Sequence, residues 1–103
     1  RLKLLVKLCL LWGMTFSLAY ANKDLAVKNG CLGCHAVNEK LVGPSYKDIA
    51  TKYGGNPQAV EILTQNILQG GSGKWGEMAM PAQTGLSKKN AEKLSKWIMQ
   101  GAN

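Results

Sequence analysis

The chain has 103 residues, 46% hydrophobic and 18% charged, with 13 Lys+Arg against 6 Asp+Glu for a net charge of +7. This is the composition of a single globular domain, and it excludes a disordered or collagen-like chain. No apolar run reaches the ~18 residues of a membrane-spanning helix.

The first segment reads as a cleaved secretory signal over residues 1–21. Arg1, Lys3 and Lys7 form a basic opening, Leu8 to Leu18 an apolar stretch, and Ala19-Tyr20-Ala21 offers small residues at the two positions a signal peptidase reads. Cys9 has no small-residue lipobox before it and reads as a small hydrophobe. An uncleaved anchor is the alternative, and the short apolar stretch argues against it. Cleavage after Ala21 leaves residues 22–103 as the exported domain, with ten basic and six acidic side chains. That balance suits mild steering of a partner and makes no nucleic-acid footprint.

Asp24 to Gly30 predicts a short helix that runs into Cys31-Leu32-Gly33-Cys34-His35. Residues 36–45 lack a sustained period and contain the turn pair Gly43-Pro44, so they form a loop. Ser45 caps a helix over Tyr46–Tyr53, which Gly54-Gly55 ends. Asn56-Pro57 reads as an N-cap followed by proline at the first helical position, and the helix extends to about Gln69 with Val60, Leu63 and Ile67 on one face. Gly70-Gly71 stops it. Residues 70–86 make a long Gly-rich stretch, a length that in so small a domain points to function. Ser87 caps a last helix whose Ala91, Leu94, Trp97 and Ile98 share a face, and Gly101 terminates it. The fold class is all-α, with about four short helices and no repeats.

A core this small rarely supplies more than ~3–5 kcal/mol without a staple. Cys31 and Cys34 are too close for a bridge between them to constrain much of the chain. Cys-x-x-Cys-His is instead the attachment signature of c-type haem: two thiols one short turn apart meet the two vinyl groups, and the adjacent imidazole reaches the iron. His35 is the only histidine. A zinc knuckle lacks a fourth ligand once Cys9 is removed. A thioredoxin-like pair expects strand–helix alternation, which is absent from the pattern. Haem c held by Cys31 and Cys34, with His35 on the iron, then leaves a sixth position for a thioether. Met78, Met80 and Met99 are the candidates. Met80 is favoured because Pro81 stiffens the loop beside it, with Met78 still open.

The segments Gly30-Cys-Leu-Gly-Cys-His-Ala36, Leu41-Val-Gly-Pro-Ser-Tyr-Lys-Asp-Ile-Ala50, Lys74-Trp-Gly76, Met80-Pro81 and Lys93-Leu-Ser-Lys-Trp-Ile98 resemble the small bacterial class I cytochromes c of the c-551/c-552 group. The resemblance covers nearly all of residues 22–101. It implies the class I cytochrome c fold wrapped around one haem, and a periplasmic, monomeric electron carrier rather than an enzyme. It selects Met80 as the distal ligand and makes Pro44 the carbonyl that accepts the His35 ring N–H. It also makes Trp75 an indole donor to a haem propionate. Gly30 is expected to permit a close approach of the first and last helices, with Leu94 and Trp97 packed there or over the haem edge. An apolar rim of Leu32, Leu41, Val42, Met78 and Ala79 would face redox partners: a terminal oxidase or reductase, an upstream cytochrome or a quinol-oxidising complex. Lys28, Lys40, Lys47 and Lys74 would steer them. No nucleic acid and no membrane span in the mature form are expected.

Two departures from the group stand out. Asn66 occupies a position where it often has Arg or Lys near the propionates. Met80-Pro81-Ala82-Gln83 replaces Met-Pro-Pro-Asn, so Gln83 stands in for an amide that contacts the Met sulfur, and a more mobile Met80 sulfur would follow. The rival readings are an open-site haem protein that senses a gas or turns over peroxide and, more remotely, a zinc or dithiol module.

Overall fold

The computed structural model describes residues 22–103, so the expected signal segment, with Cys9 and Met14, lies outside the described residues. Residues 22–28 are helical (α1), and a single 3-10 turn follows over Cys31–Gly33. Three further helices are α2 (Tyr46–Tyr53), α3 (Ala59–Gln69) and α4 (Lys88–Met99). Extended pairing among the described residues consists of two isolated bridges, His35 with Lys40 and Gly71 with Met80. The all-α expectation holds.

The caps explain the boundaries. Ser45 Oγ accepts from Asp48 N–H at 3.0 Å, and Ser87 Oγ accepts from Asn90 N–H at 3.1 Å, each replacing an intrahelical partner that a first turn lacks. Helix α3 starts later than Asn56-Pro57 suggests. Asn56 Oδ1 takes the Gln58 N–H at 2.8 Å and its carbonyl takes the Ala59 N–H at 3.1 Å. Those two bonds close a separate turn, with Pro57 inside it and outside the helix. At the far end, Gly70 leaves α3 in the left-handed region at φ 67°.

Gly30 corrects one expectation. A Cβ there would meet nothing within 4 Å, so no close approach depends on it; its backbone sits at φ 72°, where a side chain would be strained.

Helix α4 packs along α3 and also against α2. Its predicted apolar face is buried, with Ala91, Leu94, Trp97 and Ile98 all at 7% exposure or less. At the α3–α4 contact two fully buried hydroxyls, Thr64 and Ser95, lie 3.1 Å apart. Each also reaches the carbonyl four residues back, Thr64 to Val60 at 2.6 Å and Ser95 to Ala91 at 2.9 Å. Small, satisfied polar groups thus let the two helices approach without orphaned donors. Past α4, Ala102 N–H returns to Trp97 O at 2.9 Å, and the Trp97 indole donates to Asn103 O at 3.3 Å.

Candidate functional site

Leu63, Ile67, Leu94 and Ile98 of this core, with Tyr46 and Ile49 of α2, also form the inner wall of a cleft of about 270 Å³. The other walls are loop residues. Cys31, Cys34, His35, Pro44, Trp75 and Met80 all line this one cleft, although the sequence separates the first from the last by most of the domain.

The 3-10 turn brings the first three together. Cys34 N–H and His35 N–H both donate to Cys31 O, at 3.2 and 2.9 Å. Cys31 is half-buried and Cys34 exposed, and no disulfide joins them.

His35 Nδ1 lies 2.7 Å from Pro44 O. A carbonyl only accepts, so Nδ1 carries the proton and Nε2 keeps its lone pair for a metal. Three neighbours hold the ring. Tyr46 stacks on it with centroids 5.4 Å apart at 19°, and Trp97 meets Tyr46 edge-on at 5.4 Å and 67°. Gly43 supplies the third contact: a Cβ there would fall 2.5 Å from His35 Cε1 and 2.9 Å from Nδ1. The sequence marked Gly43 only as half of a turn pair. Because its φ is not in the positive region, turn chemistry gave no sign that it cradles the imidazole.

Tyr46 is the buried phenol of the site. Burial raises its pKa far above the usual tyrosine value. A phenol whose folded pKa is raised contributes stability that is present below the unfolded value near ~10 and lost as pH climbs above it. Tyr46→Phe is therefore expected to flatten the alkaline limb of the stability–pH curve above about pH 10. Denaturant unfolding of wild type and variant side by side checks this; identical alkaline limbs would contradict it.

The Gly-rich stretch is stitched to the end of α3 at several points. Met80 N–H donates to Gly71 O at 2.8 Å, Gly71 N–H donates to Met80 O at 3.0 Å, and Gln83 N–H donates to Ile67 O at 3.0 Å. Gly70 lies against this strip so closely that a Cβ would fall 2.5 Å from Met80 O and 2.6 Å from Ala82 N. Met80 is half-buried against the core. Met78 also lines the cleft but is 69% exposed, and Met99 packs against the core away from the cleft. The Gln83 amide donates to Pro81 O at 3.1 Å, so in this conformation its N–H is engaged by backbone.

Trp75 stands at the rim, 38% exposed. Lys52 Nζ lies 4.4 Å from its ring centroid and donates to Lys74 O at 3.3 Å. Lys74 Nζ in turn donates to Asn66 Oδ1 at 2.5 Å. Of the expected apolar rim, Leu41 and Val42 are 46% and 49% exposed, whereas Leu32 is half-buried against the core.

These residues fit a haem. Two thiols flank an imidazole with one committed nitrogen, a thioether shares their cleft, and the inner wall is apolar. Among the described residues no group of three or more His, Cys, Asp or Glu side chains is arranged to hold a metal ion between them. No described helix is long and apolar enough to cross a membrane.

Comparison with known proteins agrees. The family model described as Cytochrome c matches residues 21–102. Cytochrome c-552 of Hydrogenobacter thermophilus is 44% identical over 96 residues, 93% of each chain. Cytochrome c-551 of Pseudomonas aeruginosa is 43% identical over 77 residues, 74% of this chain and 73% of that one. The crystal structure of wild-type Nitrosomonas europaea cytochrome c552 superposes with a TM-score of 0.74 at 44% identity, covering 76% of this chain and 96% of the other.

Proposed function

The chain belongs to the cytochrome c family, and on that premise we propose that it is a monohaem electron carrier whose iron is closed on both sides, by His35 and by Met80. One haem c is held covalently through Cys31 and Cys34. When bound, the group supplies one-electron exchange between ferric and ferrous iron.

The observation that supports the ligand assignment is the cleft itself, which is lined both by His35, its Nδ1 committed to Pro44, and by Met80 on a doubly hydrogen-bonded backbone. Each part of the chain has a task. The Pro44 bond and the Gly43 cradle fix the orientation of the imidazole. The Gly71 pairing anchors the Met80 backbone, and a thioether on the iron would favour the reduced state relative to a nitrogen ligand. Leu63, Ile67, Leu94 and Ile98 keep water from the inner face. With His35 and Met80 both holding the iron, no substrate would reach the metal, which suits a carrier rather than an enzyme. The Trp75 indole serves a propionate.

Residues 1–21 serve as the export signal and the domain works in the periplasm as a monomer. It docks through Leu41, Val42, Met78 and Ala79, with Lys28, Lys40, Lys47 and Lys74 steering weak encounters. Its partners are respiratory proteins, an upstream cytochrome or quinol-oxidising complex on one side and a terminal oxidase or reductase on the other.

Mass and spectra of the purified exported form test this together. The expected result is residues 22–103 plus one tetrapyrrole, a low-spin ferric spectrum with a thioether charge-transfer band, and a ring-shifted Met80 methyl in the ferrous NMR spectrum. A high-spin spectrum with rapid cyanide binding at neutral pH would favour the open-site reading instead.

A further inference from the structure

A haem brings two carboxylates into a cleft that is otherwise apolar, and each needs a polar or cationic neighbour. Among the described residues, the side chains lining the cleft include one Lys or Arg, Lys74. Its ammonium is tethered rather than free: Asn66 Oδ1, another cleft-lining atom, holds it at 2.5 Å. Its backbone is held as well, by the Lys52 ammonium on its carbonyl. Lys52 approaches from α2 and rests on the Trp75 ring, 4.4 Å from the centroid, with Tyr53 of the same helix 5.7 Å away. Glu77 is the carboxylate of the same loop, and Lys74 Nζ is bonded to the Asn66 amide rather than to it.

We infer that Lys74, positioned by Asn66 and backed by Lys52, is the cationic partner of a haem propionate in this protein. The inference rests on the haem reading above and goes further, because it assigns the carboxylate's counter-charge to a loop residue and gives Asn66 the work of a tether. An amide oxygen 2.5 Å from the ammonium is well suited to that work: it accepts from one N–H and leaves the other two free to donate. Lysine is a compact point charge, so it needs such a tether more than a forked guanidinium does. A cation beside a carboxylate favours its ionised form and so lowers its pKa. An ionised propionate favours ferric iron, so the midpoint potential falls as pH rises through that pKa.

The test is the midpoint potential of the holoprotein measured against pH by spectroelectrochemistry. In Lys74→Val the inflection is expected to move to higher pH by about half to one unit, a modest shift because the pair is solvent-exposed. The potential above the inflection should also fall. Lys74→Arg should keep the wild-type curve. The double variant Asn66→Arg/Lys74→Val should restore it, since the charge returns to the same corner from α3. Lys89→Gln on α4 removes an equal charge away from the cleft and should leave the inflection in place. A Lys74→Val curve that matches wild type, or one that the double variant fails to restore, overturns the inference. Failure of the haem reading is seen separately, as absence of covalent tetrapyrrole or of the thioether band in the unsubstituted protein.

Discussion

Met80→Ala is expected to lower the midpoint potential by on the order of 0.2 V, a fraction of the ~0.8 V range over which axial ligands set haem potentials. Haem should stay attached, because Cys31 and Cys34 lie on a separate segment anchored by its own hydrogen bonds. The thioether band should vanish, and cyanide or carbon monoxide should bind at neutral pH, where the unsubstituted protein is expected to resist both. The size of the effect follows from the chemistry of the lost group: a thioether favours ferrous iron, and water or hydroxide in its place does not. Spectroelectrochemistry and ligand titration of the purified variant check this. An unchanged potential would mean that Met78 or another residue closes the iron. Met78, 69% exposed and also on the cleft, is the alternative to examine first.

Gly43→Ala is expected to be far more damaging than its single methyl suggests. The new Cβ would fall 2.5 Å from Cε1, 2.9 Å from Nδ1 and 3.1 Å from Nε2 of His35. The imidazole is a rigid ring clamped by the Pro44 bond on one edge and stacked on Tyr46, so it has no flexible end to give way. Either the ring turns and abandons Pro44, or the loop moves. Overpacking of this kind costs ~1–3 kcal/mol, and loss of the hydrogen bond adds ~1 kcal/mol. Denaturant unfolding of the ferric holoprotein should therefore report a loss of about 2–4 kcal/mol, along with an altered low-spin spectrum and a lower yield of loaded protein. Gly33→Ala is the control. Gly33 has nothing within 4 Å of a built Cβ and no positive φ, and alanine there should leave stability within ~0.5 kcal/mol. Equal stabilities for the two variants would contradict the cradle.

Much of this protein is legible in one dimension. Helices α2, α3 and α4 follow from capping residues, glycine stops and the spacing of Leu63, Ile67, Ala91, Leu94, Trp97 and Ile98, because these are local rules that act within a few residues. The Cys31–His35 motif is local too, since a covalent attachment to a rigid ring dictates its own spacing. Helix α3 starts later than Asn56-Pro57 suggests because Asn56 forms an Asx turn and not an N-cap, two uses of the same side chain that sequence does not separate.

What the chain alone determined is therefore the cofactor, the helices and the short list of atoms able to reach a metal. What only the folded molecule decided is which distant pieces share a wall: Gly43 against the imidazole, Gly71 paired with Met80, Lys74 on Asn66, Lys52 on Trp75. Those contacts join segments that no period or cap relates. They depend on how the loops settle against the packed core of α2, α3 and α4, where steric exclusion and hydrogen-bond satisfaction act between residues far apart along the backbone.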